Sequence, residues 1–136
     1  MEDRYLFKAK RVDDGEWVQG CYIYNIDRDC SESLNKFAHR IQPLYAHAYA
    51  EPIDPTTICQ CTDLKDKNGK LIWENDIIRT KVGTAKVIWD KSEWRIEWLK
   101  SDLWRKDLYY WAVKDNQKIE VIGNIFDNPE SLESER

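Results

Sequence analysis

Apolar and polar positions alternate along most of this chain, and the alternation favours short β-strands over helices. The clearest pattern lies between Thr62 and Thr80, in TDLKDKNGKLIWENDIIRT. There a tight turn at Asn68-Gly69 and a second charged turn, WEND, separate short apolar runs, which is typical of hairpins. We therefore predict that residues 64–79 fold back on themselves as paired extended segments.

Two further hairpins are predicted, one on each side of this stretch. Residues 4–24 alternate around Asp14-Gly15, a pair that suits a tight connection. The returning strand, WVQGCYIY, contains few polar residues, so we expect it to lie centrally in a sheet or to be covered on both faces. The second hairpin joins VGTAKVIWD to EWRIEWL through the polar turn DKSE, and KIEVIGNIF predicts one more strand near the C-terminus.

Helical signals are few. Residues 25–43 are predicted to hold a variable helical insertion, because apolar side chains recur there at helical spacing before a proline. Residues 101–113 favour a short helix or irregular turn that leads into a strand. Near the C-terminus, Asn128 is placed to cap a last helical turn that has Pro129 at its first position. The apolar residues of the insertion are Leu34, Phe37, Ala38 and Ile41.

The segment before Thr62 carries mixed signals. LYAHAYA alternates Tyr45, His47 and Tyr49 with alanines and predicts a strand with an aromatic face. EPIDPTT is typical of a proline-punctuated loop. TICQCT, which follows, predicts a short strand.

These elements define the expected fold class as mainly β (β-rich α+β). Short antiparallel strands and hairpins, with turn signals about every ten residues and one or two short helices, favour a small barrel or sandwich. Residues 1–136 are expected to form a single domain, with residues 130–136 as a frayed tail.

Composition narrows the class of protein further. Apolar residues make up 42% of the chain and charged residues 34%, as in globular proteins. No apolar run approaches the roughly 20 residues that a membrane helix needs. The N-terminal MEDRYLFKAKR lacks the apolar stretch of a secretion signal, so a cytoplasmic protein is predicted. The net charge of −4 is opposite in sign to the balance that a non-specific duplex-DNA binder needs.

Several of these segments resemble a known family. LKDKNGKLIWENDII, preceded by TICQCT and followed near the end by VIGNIFDNPESL, resembles the YopX family of phage and prophage proteins. FKAKRVDDGEWVQG is similar to the family's N-terminal hairpin. The resemblance implies a β-rich fold and a phage or prophage origin, and hence a bacterial host cell. It implies no established biochemical activity.

The chain departs from the family pattern in the centre. Asp63 and Asn75 stand where the family has glycine, and aspartate and asparagine are the other residues that best tolerate positive φ. The resemblance therefore predicts that both backbone turns are kept. Cys59 and Cys61 replace the usual glycine and tyrosine on either side of Gln60, so no role of that tyrosine is transferred.

Candidate metal ligands have a simpler structural interpretation. A zinc site could be drawn from Cys59 and Cys61 with other cysteines and histidines, but the spacings lack the paired CxxC pattern of structural zinc sites. Buried thiols are the favoured interpretation, and no metal or cofactor is expected. The other residues of that hypothetical site are Cys21, Cys30, His39 and His47.

Candidate catalytic residues also fall short of a site. Carboxylates around the central turns are favoured as turn-forming residues over magnesium ligands, because such side chains bond to their own backbone. His39 is expected on a helix that faces solvent, and the two histidines have no matched nucleophile. No catalytic residue is therefore assigned, and an enzyme is not expected. The carboxylates are Asp63, Asp66, Glu74 and Asp76.

A run of aromatic residues interleaved with cations, between residues 86 and 111, is the strongest surface candidate. Three interpretations are open: a core filled by large aromatic side chains, a protein interface, and a groove for single-stranded nucleic acid. The acidic total charge disfavours the third. The interaction candidates are Trp89, Trp94, Arg95, Trp98, Trp104, Arg105, Tyr109, Tyr110 and Trp111.

The predicted function is a non-enzymatic protein-interaction module, self-association included. The alternative is binding of single-stranded nucleic acid through the face formed by residues 86–111. Oligonucleotide binding that weakens steeply with salt would distinguish the alternative from the first prediction. No membrane partner is expected.

Overall fold

The computed structural model describes residues 3–25, 38–44, 49–100, 105–114 and 118–134. Within these ranges the chain forms ten β-strands in antiparallel sheets of six and four strands, and its helices are only short turns. The predicted mainly β fold class is therefore confirmed. The chain divides into two compact units, which we call unit 1 (Met1–Gln60) and unit 2 (Cys61–Arg136).

The described part of unit 1 contains four strands and the start of a fifth. They are β1 (Phe7–Lys10), β2 (Trp17–Tyr24), β3 (His39–Pro43), β4 (Glu51–Pro52) and β5 (Cys59–Lys65). They pair antiparallel in the order β4-β3-β2-β1-β5, so β2 lies centrally, as predicted. The other elements are two 3₁₀ turns, Asp3–Tyr5 and Pro55–Thr57.

The first hairpin forms as the sequence predicts. Val18 of β2 lies opposite Ala9 of β1, and Gly15 adopts the left-handed backbone of a tight turn, with φ +72°. The carboxylate of Asp14 accepts a hydrogen bond from the backbone N–H of Glu16 at 2.9 Å. The aspartate-glycine pair therefore closes this turn.

Close packing between β2 and β3 depends on Gly20. A Cβ atom at this position would lie 2.0 Å from the carbonyl oxygen of Gln42 on β3. Any larger side chain would push the two strands apart. Gln19, Cys21 and Ile23 of β2 are exposed, so β2 is central but is not covered on both faces.

The predicted helix over residues 25–43 is wrong for its last five residues. His39–Pro43 is strand β3, and residues 26–37 lie outside the described part of the chain. Ile41 is fully buried whereas Arg40 before it is exposed, which is the two-residue period of a strand. Pairing with β2 overrides the local helical spacing.

The aromatic strand predicted before the proline-punctuated loop is described only at its end, because residues 45–48 lie outside the described ranges. Tyr49 is 89% exposed. The loop prediction is wrong for Glu51–Pro52, which forms the edge strand β4, where proline is tolerated. One buried apolar cluster among the described residues of unit 1 contains Ala9, Val18, Ile41 and Ile53.

Unit 2 holds the remainder of β5 and, among the described residues, five further strands. They are β6 (Leu71–Trp73), β7 (Asp76–Thr80), β8 (Gly83–Asp90), β9 (Glu93–Trp98) and β10 (Glu120–Asn124). Strand β6 pairs with β5, and the other four form an antiparallel ladder in the order β10-β7-β8-β9. The described strands form open ladders, so the predicted closure into a barrel is not observed.

The central stretch folds as predicted, into paired strands joined by tight turns. Lys65 of β5 lies opposite Leu71 of β6, and the turn between them has Gly69 at φ +78°. Asp63 and Asn75 have φ values of +65° and +70°. Both residues therefore keep the left-handed backbone expected where the family has glycine.

Buried aspartates hold the turns of this stretch together. Asp66 is only 3% exposed, and its carboxylate accepts hydrogen bonds from two N–H groups of its own turn, at 2.9 Å each. It also accepts the N–H of Val121 on β10 at 3.0 Å. Asp76 accepts the N–H of Trp73 at 2.8 Å. The structural interpretation of these two carboxylates is therefore confirmed.

The core of unit 2 joins the sheet to a π-helical turn, Tyr110–Lys114. The rings of Trp98 and Trp111 meet edge to face with centroids 5.4 Å apart, and the indole N–H of Trp111 donates to the carbonyl oxygen of Arg105 at 2.9 Å. For residues 101–113 the sequence favours a short helix or irregular turn leading into a strand. The described residues 108–113 are helical, and the next described strand is β10. The buried core residues are Ile72, Ile78, Ala85, Val87, Ile96, Trp98, Leu108, Trp111, Ala112 and Ile119.

Two asparagines shape the C-terminal turn. The side-chain oxygen of Asn124 accepts two of the backbone N–H groups that follow it, at 2.9 Å each. The side-chain oxygen of Asn128 accepts the N–H of Asn124 at 3.2 Å, and its backbone carbonyl oxygen accepts the N–H of Ser131 at 3.0 Å, so Asn128 lies at the predicted start of the last helical turn. Residues 130–134, predicted as part of a frayed tail, form that helical turn, α1 (Glu130–Ser134).

Candidate protein-binding cleft

The hairpin of β8 and β9 carries several of the aromatic candidates. Both central residues of its turn, Lys91 and Ser92, have positive φ values of 52° and 62°, as in a type I′ connection. The turn fixes the register, with Trp89 directly opposite Trp94. Their rings meet edge to face, with centroids 5.0 Å apart and an interplanar angle of 70°. The two indoles therefore form a preformed pair near the tip of the hairpin.

This tryptophan pair shares a face with the core but extends beyond it. Val87 and Ile96 are the next residues on the same face of β8 and β9, and both are buried. Trp94 is half-buried and packs against the core, whereas Trp89 is 54% exposed. The hairpin therefore reaches past its own core and presents one indole to solvent.

Residues 105–109 form a second wall. The backbone N–H of Ile96 donates to the carbonyl oxygen of Lys106 at 2.7 Å, and Asp107 forms an isolated β-bridge with Arg95. This pairing places Asp107 and Tyr109 beside the hairpin. Tyr109 is 53% exposed.

An open cleft of about 510 Å³ lies between these two walls and strand β5. Its size falls within the range of sites that bind small molecules or a few side chains. It combines three aromatic side chains, one of them a tyrosine, with one aliphatic side chain, one serine, one threonine and two acidic residues. The lining residues are Thr62, Leu64, Trp89, Ser92, Glu93, Trp94, Asp107 and Tyr109.

The charged residues that line the cleft are both acidic, Glu93 and Asp107. Asp107 accepts two hydrogen bonds from the guanidinium of Arg105, both at 3.0 Å, and Glu93 forms an ion pair with Arg95. Neither arginine lines the cleft.

The predicted interaction residues divide between this cleft and the core. Trp89, Trp94 and Tyr109 line the cleft, and Arg95 and Arg105 bind its carboxylates. The tight turn places Trp89 opposite Trp94, and the bridge between Arg95 and Asp107 places Tyr109 beside the hairpin.

The remaining candidates lie elsewhere. Trp98 and Trp111 belong to the core of unit 2, and Tyr110 is half-buried and packs against it. Trp104 lies outside the described residues. Trp98 and Trp111 are buried, which agrees with one of the three interpretations of the aromatic run, a core filled by large aromatic side chains.

Sequence reasoning missed the β5 side of the cleft, Thr62 and Leu64. These residues are far from the aromatic run in sequence, and alternation carries no information about which distant strand lies nearby. It also missed Glu93 and Asp107. Both lie within two residues of a cleft aromatic residue, so the acidic positions inside the aromatic run were an available signal.

The predicted position of His39, on a helix facing solvent, is wrong. It lies on β3, with its ring centroid 5.9 Å from that of Tyr22 and 4.5 Å from that of Tyr24. The hydroxyl of Tyr22 is hydrogen bonded to Nδ1 of His39. Burial, with a smaller contribution from Tyr24, raises the pKa of Tyr22. His39 is therefore part of an aromatic cluster that joins β2 to β3.

The cysteines considered as zinc ligands differ in how far they are buried. Cys59 and Cys61 are buried thiols, as predicted, whereas Cys21 is exposed. The thiol of Cys59 donates to a backbone carbonyl oxygen at 3.3 Å. Cys30 and His47 lie outside the described residues. Within the described part of the chain, no group of three or more Cys, His, Asp or Glu residues is arranged to hold a metal ion.

Exposed sheet edges are the other surface through which such a protein could associate. Several edges among the described strands are protected against pairing with a strand from another molecule. In unit 1, the edge strand β4 has two residues, one of them Pro52. In unit 2, β9 bonds to Lys106, and Asp66 accepts the N–H of Val121 on β10. The cleft is therefore a better candidate site than the edges.

The fold and the cleft define a small β-rich protein, and comparison with known proteins identifies its family. A family model described as YopX protein matches residues 6–133. The chain therefore belongs to the YopX family, as its motifs indicated. The match spans both units, and a single domain over residues 1–136 stays a prediction.

Among solved structures, the chain is similar to the crystal structure of protein EF1440 from Enterococcus faecalis. The TM-score is 0.51 with 20% identity, over 93% of this chain and 96% of that chain. At this identity the likeness shows the fold alone. No protein of curated function matches. None of the helices in the described ranges is long and apolar enough to cross a membrane.

Proposed function

We propose that this YopX-family chain is a non-enzymatic, phage- or prophage-derived protein-interaction module that acts in the bacterial cytoplasm. Its binding site is the cleft of unit 2, and its partner is a segment of another polypeptide. One observation carries the proposal: Trp89 and Tyr109, each more than half exposed, line the same open cleft.

Large aromatic side chains at a surface favour association because covering them removes apolar area from water. Tryptophan and tyrosine dominate the energetics of interfaces and are enriched at their centres. Trp89 is held against Trp94 by a tight turn, so little conformational freedom is lost when a partner binds. Both features support a role in binding.

Single-stranded nucleic acid remains the alternative ligand, because exposed indoles can stack with bases. The cleft supports it less well. Its charged groups, Glu93 and Asp107, would repel phosphates, and the nearby Arg95 and Arg105 already pair with them. Gel shifts with single-stranded oligonucleotides at increasing salt test this alternative. Tight binding that weakens steeply with salt and is lost on Trp89→Ala would favour nucleic acid over protein.

Selection from a displayed library of short random peptides tests the proposal. Peptides enriched on the intact chain are then measured against a variant with both Trp89→Ala and Tyr109→Ala. We expect binding to weaken by at least about tenfold, as for two interface aromatics. Tyr49→Ala, which removes an exposed aromatic residue of unit 1, is the matched control and should leave binding unchanged.

Two outcomes would contradict the proposal. In one, no peptide is enriched on the wild-type chain. In the other, enriched peptides bind the double variant and the wild-type chain equally. Melting temperatures of the wild-type chain, the double variant and Tyr49→Ala establish that all three are folded.

Self-association is the version of the proposal in which the partner is a second copy. Sedimentation velocity over a range of protein concentrations measures it directly. A dimer that dissociates in the Trp89→Ala and Tyr109→Ala double variant identifies the second copy as the partner. If the chain is a monomer at every concentration, the expected partner of the cleft is a different protein.

A further inference from the structure

We infer that the side chain received by this cleft is cationic, an arginine or lysine presented by a partner protein. The inference rests on the proposed function and names the chemistry of the partner. It follows from how charges and aromatic faces are distributed among the eight described residues that line the cleft.

The charges of the residues that line the cleft favour a cation. Two of the eight lining residues, Glu93 and Asp107, are carboxylates, and none of the eight is lysine or arginine. A purely apolar side chain would remove water from these carboxylates without replacing its hydrogen bonds, which is unfavourable. An anionic side chain would be repelled. A cation can pair with Glu93, since both oxygens of Asp107 already accept hydrogen bonds from Arg105. The apolar stem of arginine or lysine can contact the rings.

The second argument is the chemistry of the aromatic faces. Tryptophan is the aromatic residue that attracts a cation most strongly, and tyrosine does so as well. The exposed rings of Trp89 and Tyr109 line the same space as the carboxylates. Interaction with the rings and pairing with a carboxylate therefore act on the same incoming group.

Unit 2 already contains one guanidinium bound in this way. Arg105 donates two hydrogen bonds to Asp107, and its guanidinium carbon lies 4.3 Å from the ring centroid of Tyr110. This arrangement shows that a guanidinium can bind a carboxylate and an aromatic face together within this fold. Glu93 and Trp89 offer the same two partners to a guanidinium from outside.

The existing partner of Glu93 does not prevent this. Its ion pair with Arg95 is at the surface, where the Glu93 side chain is 46% exposed, and exposed ion pairs contribute little stability. Because the Glu93 side chain is accessible, an incoming cation can share its carboxylate with Arg95. The arginine of a partner is also suited to bidentate pairing with a carboxylate.

Peptide selection against the intact chain tests the inference. Short random peptides are selected for binding to the wild-type chain and for loss of binding to the Trp89→Ala and Tyr109→Ala double variant. We expect arginine or lysine to recur at one position of these peptides. Replacing that residue with norleucine in a synthetic peptide should weaken binding by about tenfold or more.

Glu93→Gln gives the matching test on the protein. It removes the charge with little change in shape and should weaken binding of the cationic peptide several-fold. Glu97→Gln, an exposed position on the same strand that does not line the cleft, should leave binding unchanged. Binding should also weaken as salt increases.

Each outcome bears on the inference differently from the proposed function. Cleft-dependent peptides that lack a cation, or that bind equally well with norleucine, would overturn the inference and leave the protein-binding function in place. Equal binding to wild type and Glu93→Gln would also overturn it. A selection that yields no cleft-dependent peptide would overturn both.

Discussion

Two hairpins of this protein place tryptophan near their turns and treat it differently. In the β1–β2 hairpin, Trp17 lies opposite Lys10, and the ammonium groups of Lys8 and Lys10 lie 4.7 and 5.4 Å from its ring centroid. In the β8–β9 hairpin, Trp89 lies opposite Trp94 and is 54% exposed.

The two hairpins differ in how far the aromatic ring is covered by the chain itself. Trp17 is half-buried and is covered by cations from its neighbouring strand. Trp89 is held on one side by another indole and faces an open cleft lined by Glu93 and Asp107. The first hairpin supplies its own cations, whereas the second offers the aromatic and acidic groups to which a cation can bind. Under the proposed function, the second hairpin is therefore the expected binding site.

The largest expected effect separates core and cleft tryptophans on one sheet. Trp98→Ala should lower the free energy of unfolding by about 4 kcal/mol, because it leaves a cavity in the core. Trp89→Ala should lower it by about 1 kcal/mol, the value of one aromatic pair. Chemical denaturation followed by circular dichroism measures both. Equal losses would mean that Trp89 is a core residue and not a binding residue.

The next effect concerns how the first hairpin is built into its sheet. Gly20→Val should lower the free energy of unfolding by about 3 kcal/mol, because its Cβ would overlap the carbonyl group of Gln42. Gly15→Asn is the control, since asparagine tolerates positive φ and no atom lies within 4 Å of the added Cβ. The control should change stability by less than about 1 kcal/mol. A tolerated Gly20→Val would show that β2 and β3 can separate.

The cations over Trp17 give a smaller effect. Replacing Lys8 and Lys10 together by glutamine should lower the free energy of unfolding by about 1 kcal/mol, the sum of two partly exposed cation–π contacts. Lys118→Gln, at an exposed position in unit 2, is the control. A double variant as stable as the control would remove the contrast between the hairpins.

The smallest effect is a dependence on alkaline pH. Burial raises the pKa of Tyr22 above its ordinary value of about 10, so the folded chain holds the phenolic proton more tightly than the unfolded chain. The resulting stability is fully present below about pH 10 and is lost as the pH rises through the raised pKa. Tyr22→Phe should therefore lose less stability than wild type across this range. A Tyr22→Phe curve parallel to wild type would contradict the assignment.

Much of the fold could be predicted because the turns between its strands contain residues that can be recognised in the local sequence. Asn68-Gly69 and Asp14-Gly15 mark turns by their own conformational preferences. Asp63 could be assigned positive φ once the glycine of the family pattern was known. Strand β3 was missed because its apolar residues have helical spacing, and only pairing with β2 makes the segment extended.

The cleft could be predicted only in part. Trp94, Ile96 and Trp98 alternate identically, so the sequence does not reveal that Trp98 is core and Trp94 lies at its rim. That distinction depends on where the core ends along the strand. The contribution of Thr62 and Leu64 depends on long-range strand placement, which a local pattern does not contain.

The most direct test of the central claim uses the indole N–H resonances of the seven tryptophans in the ¹⁵N-labelled chain. A peptide selected on the intact chain is titrated in, and each resonance is assigned by single substitution. We predict that the resonances of Trp89 and Trp94 shift with saturation while that of Trp17 does not. A peptide that shifts Trp17 and leaves Trp89 and Trp94 unchanged would contradict the assignment of binding to the cleft.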